Sequence, residues 1–272
     1  MVSKTISIDR LALLVAGSML LAAPTIKDYL PDSTRETHVE AASINPDVST
    51  MNYLIWGLIN PAEREKLEKN KSIDDVLSDE GVTNKFEIRA YKDILSARKE
   101  LDKISSQMEH VDTSLLMGII MQEVRGMKYK EGNSGDSGQM QLTFDGAYSF
   151  FWKAYEFSIG DNKDPYWSNI DTRYSKQLKS IFSEWEKNNI LVKGDKNKTW
   201  ENLKDNFKKG FNLNVFMGCL YADFEIHQHD DERTGLAYYN EGNNFGSDKA
   251  QNYATGVIKY KQIFRAALKA TG

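Results

Sequence analysis

The chain has 272 residues, of which 40% are hydrophobic and 27% charged, and this composition excludes a disordered, a collagen-like or a polytopic membrane protein. Its formal net charge of −4 provides no general positive field that would attract nucleic acid. With one cysteine and four histidines, the chain cannot form an internal disulfide and is poorly suited to a structural zinc site.

The first part of the chain has the pattern of an export signal. Lys4 and Arg10 precede an apolar or small run at positions 11–24. As a helix this run would rise about 21 Å, which is short of the roughly 30 Å hydrocarbon core of a bilayer. We therefore interpret residues 1–30 as a signal peptide or as an N-terminal membrane anchor. A buried or virion-embedded helix is the alternative.

The remainder is predicted to be mainly α-helical. Prolines and polar residues at 31–48 are typical of a linker. Residues 49–110 carry apolar side chains at three- and four-residue spacings, with one long helix expected over 85–108, and form an N-terminal helical region. Residues 111–272 form the second domain, in which an aromatic-rich helical insertion spans about 144–210. Its tryptophans are expected to fill a core, with a sugar-binding groove as the alternative.

Glu123 is the candidate catalytic residue because it interrupts an apolar helix face. On the 3.6-residue period it shares that face with Ile119 and Ile120. Apolar neighbours and the C-terminal end of a helix both favour the protonated carboxyl, which a general acid needs in order to protonate a glycosidic oxygen. The alternative is a glutamate that pairs with Arg125 or Lys128, or that faces water.

A glycine-rich loop follows this helix and ends in Gln139, Met140 and Gln141. Glycine lets a backbone approach a ligand closely, and an amide side chain can both donate to and accept from sugar hydroxyls. A hydrolase would need a second acidic group to hold a water molecule, for which Asp136 or Asp145 is the candidate. Asp136 can instead serve only a turn hydrogen bond.

Later segments are predicted as a helix at 212–224, a glycine-flanked turn at 235–246 and a final helix at 251–268. With these included, residues 112–143 and 212–260 resemble the catalytic core of the lytic transglycosylases of the soluble-lytic, lysozyme-like superfamily. Glu123 stands at the catalytic glutamate, while Ser134, Gly135, Gly138, Met140 and Gln141 stand in the Ser-Gly and Gly-Leu-Met-Gln loop. The family's Asn-Ile-x-x-Gly-x-x-Tyr helix is matched by Asn214, Gly218 and Tyr221. Its Ala-Tyr-Asn-x-Gly turn is matched by Leu236, Ala237, Tyr239, Asn240 and Gly242. Its final tyrosine helix is matched by Tyr253 and Val257. Val124 and Gln139 depart from the pattern, since the family has a serine and an apolar residue there.

The resemblance implies a lysozyme-like α+β fold with a minimal β-hairpin or loop element, and a peptidoglycan lytic transglycosylase. Glu123 would protonate the oxygen between N-acetylmuramic acid and N-acetylglucosamine. It would then remove the proton of the muramic acid 6-hydroxyl, so that a 1,6-anhydro ring closes without metal or organic cofactor. Tyr239 would orient Glu123, and Gln141 and Asn240 would hold the sugar. Tyr253 would be a supporting partner of the site or only a core residue.

Several other interpretations stay open at this point. The protein can be a hydrolytic lysozyme, a chitosanase-like glycosidase, or a non-catalytic peptidoglycan-binding component of a secretion system or phage particle. Its expected partner is the glycan strand of peptidoglycan, and its expected location is the periplasm or the periplasmic face of the inner membrane, with a phage virion as the alternative. A histidine-rich run at 227–231 has the composition of a metal site but lacks the i, i+4 histidine spacing.

Overall fold

The computed structural model describes residues 60–126, 140–168, 172–209 and 212–271. Within these ranges the chain forms helices and connecting turns and contains no β-strand, which confirms the mainly α fold. In chain order the helices are α1 (Pro61–Glu68), α2 (Lys71–Asp79), α3 (Lys85–Ser96), α4 (Arg98–Ser105), α5 (Thr113–Gly126), α6 (Ala147–Ser158), α7 (Pro165–Ser168), α8 (Thr172–Lys187), α9 (Lys196–Lys209), α10 (Asn212–His229), α11 (Glu232–Glu241) and α12 (Asp248–Thr271), with a 3-10 turn at Gly242–Asn244.

Some predicted segments lie outside the described residues. They are the export signal at 1–30, the linker at 31–48, and the part of the glycine-rich loop before Met140. Among the helices that are described, none is long and apolar enough to cross a membrane.

Side-chain caps determine where several helices begin. Asn60 accepts a hydrogen bond from the backbone of Glu63 at the start of α1, and Pro61 occupies the first helical turn. Asp112 accepts from the backbone N–H of Leu115 at 2.7 Å at the start of α5. Asp231 caps α11 in the same way. Polar residues at these positions satisfy the backbone donors that a helix N-terminus leaves without partners.

Two predictions about helix boundaries are wrong. The expected helix over 85–108 is divided into α3 and α4 at Ala97, where the Ser96 hydroxyl donates to the carbonyl of Asp93 at 2.6 Å and competes with regular helix bonding. The glycine-flanked turn expected at 235–246 is helical as far as Glu241. Gly235 lies inside α11. A Cβ atom there would come within 2.4 Å of the Ile226 Cα atom, so a glycine is required for the close packing of α11 on α10.

The closest helix pair is α5 with α12, and one glycine on each helix makes the approach feasible. A Cβ atom at Gly118 would lie 2.9 Å from the carbonyl oxygen of Val257, and one at Gly256 would lie 2.3 Å from the side-chain oxygen of Gln122. Side chains larger than hydrogen would therefore separate the two helices. This approach places the end of α5, with Glu123, against the first turns of α12.

Helix α10 runs through the middle of the molecule, and nearly every residue from its start to Phe224 is buried. Asp223 on this helix is 1% exposed and links three elements. It accepts backbone hydrogen bonds from His110 at 2.6 Å and Val111 at 3.1 Å, and one from the Tyr174 hydroxyl at 3.0 Å. The segment before α5 and helix α8 are thereby attached to the central helix.

The helices from α6 to α9 pack through an aromatic cluster. Tyr148 lies at its centre, with ring centroids of Trp200 at 4.8 Å and Trp185 at 6.1 Å. All four tryptophans of this part of the chain are buried, namely Trp152, Trp167, Trp185 and Trp200. These side chains therefore form a core, as expected, and none of them offers a face to a sugar. The N-terminal helices pack on α12 in a similar way, with Tyr91 4.9 Å from Phe264 between ring centroids.

Candidate active site

Glu123 lies near the end of α5 with its side chain partly buried, and it contacts α12. One of its carboxylate oxygens accepts a hydrogen bond from the hydroxyl of Tyr253 at 2.5 Å. Tyr253 is only 7% exposed, and burial together with the neighbouring Glu123 carboxylate raises the pKa of its hydroxyl well above the usual value. The hydroxyl thus keeps its proton at neutral pH and acts as a donor. Tyr253 thus orients the Glu123 carboxyl by hydrogen bonding, a role that the resemblance assigns to Tyr239, whose hydroxyl donates to the Met140 carbonyl.

The Met140 segment is held by three residues from α10 and α11. The backbone N–H of Met140 donates to the side-chain oxygen of Asn214 at 2.8 Å, and its carbonyl accepts from the Tyr239 hydroxyl at 2.8 Å. Its side chain is fully buried against Gly218, where a Cβ atom would come within 2.4 Å of the Met140 Cβ. Met140 therefore anchors the end of the glycine-rich loop to the helical core. The motif residues Asn214, Gly218 and Tyr239 provide the contacts that hold it.

Gln141 follows this anchor in a backbone conformation that the sequence did not predict. Its φ angle is +44°, in the left-handed region that residues with a side chain seldom adopt. Such a conformation is maintained only where the surrounding structure determines it, here by the fixed backbone of Met140. The side chain of Gln141 is partly buried.

Three tyrosines form a row that begins at Glu123. The rings of Tyr253 and Tyr239 are stacked with centroids 6.2 Å apart, and the Tyr239 ring is 5.6 Å from that of Tyr221. At its other end the Tyr221 hydroxyl hydrogen-bonds Glu225, a second carboxyl whose side chain is 13% exposed. We call these residues the tyrosine row. It connects two acidic side chains through α12, α11 and α10.

Glu225 was not singled out by the sequence, although a signal was present. Asn214, Gly218, Tyr221 and Glu225 follow one another at spacings of four, three and four, which places them on one face of α10. Burial raises the pKa of Glu225 to about 7, and the hydrogen bond from Tyr221 opposes that rise. A nitrogen of His229 lies 3.5 Å from its carboxylate. Glu225 therefore changes charge near neutral pH.

Asn240 follows Tyr239 on α11 and carries an unused acceptor. Its side-chain oxygen is buried and makes no hydrogen bond. Buried polar atoms without partners are uncommon in folded proteins and are frequent where a ligand is to be bound. The sugar-binding role of Asn240 stays a prediction.

The described residues leave out several of the predicted site residues. Ser134, Asp136 and Gly138 lie outside the described residues, as do the side chains of Arg125 and Lys128, so the proposed roles of all five stay predictions. Asp145, the other candidate second acid, is exposed.

The histidine-rich run does not form a metal site in the described part of the chain. His227 pairs with the ring of His110, with a nitrogen–nitrogen distance of 3.3 Å, and His229 stacks on Tyr238. Across residues 60–126, 140–168, 172–209 and 212–271, no three potential ligands lie together as a metal ion requires.

Comparison with protein-family models, with curated proteins and with solved structures finds no match to this chain. The geometry around Glu123 and the pattern of motifs therefore carry the functional argument.

Proposed function

We propose that the protein is a peptidoglycan lytic transglycosylase in which Glu123 acts first as general acid and then as general base. The observation that carries this proposal is a chain of contacts that links motifs distant in the sequence to the Glu123 carboxyl. Tyr253 donates to Glu123, while Tyr239, whose ring stacks on that of Tyr253, holds the backbone of Met140. A chance resemblance in sequence has no reason to bring these positions together.

In this mechanism the Glu123 carboxyl donates its proton to the glycosidic oxygen as the bond between N-acetylmuramic acid and N-acetylglucosamine breaks. The carboxylate that results accepts the proton of the muramic acid 6-hydroxyl, whose oxygen attacks the anomeric carbon. The new carbon–oxygen bond closes the 1,6-anhydro ring, and Glu123 regains its proton. Tyr253 orients the carboxyl and stabilises its ionised form through the hydrogen bond that it donates.

Substrate contacts are assigned to residues around the Met140 anchor. The unused acceptor of Asn240 and the amide of Gln141 would bind sugar hydroxyls or acetamido groups. Met140 itself is buried and supports the loop. The resemblance assigns Ser134 and Gly138 to substrate binding, and Asp136 would be the second acid if the enzyme were a hydrolase.

The experiment is digestion of purified sacculi with the protein, followed by mass spectrometry of the released muropeptides. We expect anhydro-muropeptides from the unmodified chain. Glu123→Gln should lower the rate by at least about a hundredfold, the scale of a general-acid contribution. Glu201→Gln on the surface of α9 is the matched control and should leave the rate unchanged. Reducing ends would support the hydrolytic alternative, and binding without release would support a peptidoglycan-binding component.

The proposed activity also assigns a location and partners. Because peptidoglycan lies outside the cytoplasmic membrane, the signal-like residues 1–30 would direct export, with cleavage or with anchoring through residues 11–24. Glycan strands would be the substrate. The protein would cleave them as a partner of an envelope-spanning secretion system or of a phage particle. N-terminal sequencing of the exported protein distinguishes a cleaved signal from an anchor.

A further inference from the structure

A cavity of about 430 Å³ opens between two of the N-terminal helices, and none of the candidate site residues named above lines it. Arg64 and Glu68 line it from α1. From α3 it is lined by Lys85, Ile88, Arg89 and Lys92. Four of these six side chains are cationic and one is anionic. We call this space the basic cavity.

Behind the cavity lies a buried carboxyl whose bonding to the two arginines is incomplete. Asp93 is 3% exposed, with one oxygen 2.9 Å from the Nε atom of Arg64 and the other 3.9 Å from the Nε atom of Arg89. Both Nε atoms and the nearer Asp93 oxygen are buried and make no hydrogen bond. The charged groups are thus close together, although these three atoms make no hydrogen bond. Buried polar atoms normally have a partner, so a further hydrogen-bonding group is expected near these side chains.

The cations around the cavity are unequally neutralised. Lys92 lies 2.6 Å from a carboxylate oxygen of Asp74, and Arg64 has both Asp93 and Glu68 within 3.3 Å. Within the described part of the chain, the acidic group near Arg89 is the more distant oxygen of Asp93. Lys85 is exposed at the N-terminal end of α3, and it has no acidic partner among the residues that the structure describes. The surplus of positive charge therefore lies at Lys85 and Arg89.

We infer that the basic cavity binds an oxyanion, a phosphate or carboxylate group of a larger molecule, through Lys85 and Arg89. Guanidinium groups match the geometry of such oxygens, and a lysine adds a point charge. The volume is within the range of small-molecule sites and exceeds what one inorganic ion needs, so the anion is a part of a larger ligand. Helices α1 and α3 carry none of the residues proposed for glycan cleavage, so this binding is a separate function.

The test is isothermal titration calorimetry on the full chain with inorganic phosphate, glycerol phosphate and glutarate, at one ionic strength held with sodium chloride. We expect saturable binding with one site per chain. Arg89→Gln should weaken it by about tenfold, and Lys85→Gln by about threefold, because the second residue is exposed and screened by solvent. Lys163→Gln, an exposed lysine in the turn before α7, is the control and should bind as the unmodified chain does.

The three probes also separate the two sources of the anion. Tighter binding of the phosphates assigns the cavity to a phosphorylated ligand, and tighter binding of glutarate assigns it to an acidic peptide or sugar acid. The inference fails if no probe binds the full chain, or if Lys85→Gln binds unchanged. It also fails if Lys163→Gln loses as much affinity as the cavity variants, since binding would then reflect only overall charge. Because Lys85 is exposed, Lys85→Gln tests the site even if Arg89→Gln does not fold.

Discussion

The hydroxyl of Tyr253 lies 2.5 Å from a carboxylate oxygen of Glu123, although 130 positions separate the two residues in the chain. Their contact depends on the close crossing of α5 and α12 at Gly118 and Gly256. It gives the candidate acid a fixed orientation from a buried donor. Tyr253 acts through Glu123, and its role is one of positioning.

Tyr253→Phe removes this donor and little else. A hydrogen bond to a charged group contributes on the order of 1.5–3 kcal/mol, so we expect the turnover of sacculi to fall by about ten- to a hundredfold with KM little changed. Because the lost bond favours the ionised carboxyl, the alkaline limb of the pH–rate profile, where Glu123 loses the proton that it must donate, should move to higher pH. Tyr166→Phe, at an exposed tyrosine, is the control. A Tyr253→Phe enzyme with unchanged turnover and pH profile would contradict the positioning role.

Gly218→Val tests the anchor of the glycine-rich loop. The new side chain would collide with Met140, whose Cβ lies 2.4 Å from the position of any added Cβ. We expect glycan cleavage to be lost and the free energy of unfolding in urea to fall by about 1–3 kcal/mol, as in other overpacked cores. Gly246→Ala is the matched control, because a Cβ there meets nothing within 4 Å.

A compensating substitution separates local collision from general instability. Met140→Gly in the Gly218→Val background removes the Met140 Cβ together with the outer side-chain atoms that valine would meet. The double variant should recover part of the stability that Gly218→Val loses, which a double-mutant cycle measures. Strict additivity of the two losses would show that the residues do not share the space seen here.

Glu225→Gln should make stability less dependent on pH. Burial raises the pKa of Glu225 to about 7 in the folded chain, above its usual 4.5. The folded state then binds this proton more tightly than the unfolded state does, so the stability that Glu225 contributes is complete below pH 4.5 and is lost as the pH rises through 7. Urea unfolding should show Glu225→Gln more stable than the unmodified chain at pH 8, on the order of 1–3 kcal/mol, and nearly equal at pH 4.5.

The control for this pH series is Glu201→Gln, an exposed glutamate that should leave the pH dependence as it is. A parallel loss of stability with rising pH in Glu225→Gln and in the unmodified chain would show that another group is responsible.

Asp223→Ala should be among the most damaging changes outside the active site. It leaves the backbone donors of His110 and Val111 and the hydroxyl of Tyr174 without their common acceptor. The loss of a buried charged acceptor costs about 3 kcal/mol or more, measured by thermal or urea unfolding. Asp223→Asn keeps one acceptor oxygen and should recover part of that loss. If alanine and asparagine were equally tolerated, Asp223 would not hold these elements together.

Local pattern predicted some parts of this protein well. The sequence predicts a helix with an apolar face around Glu123, and this helix occurs at Thr113–Gly126, because apolar spacing along one helix is a local property of the chain. The division of the long N-terminal helix at Ala97 was not predicted, since a serine side chain bonding to the backbone does not disturb the apolar spacing. The sequence predicts that Gly235 flanks a turn, whereas the structure shows that its small size is required by a neighbouring helix, a contact that no local pattern contains.

The sequence alone was sufficient to predict that the protein is helical, that Glu123 has apolar surroundings, and that the motifs follow one another in an order that includes Tyr253. These features depend only on residue type and short spacing. Only the tertiary structure shows that Tyr253 is the donor to Glu123, that Tyr239 holds Met140, and that the tyrosine row ends at a second carboxyl. Likewise, the cationic side chains of α1 and α3 surround a cavity only because the two helices pack together. The physical reason is the same in each case. Periodicity describes one helix at a time, whereas hydrogen bonds, burial and the pKa shifts that follow from burial arise where different helices meet.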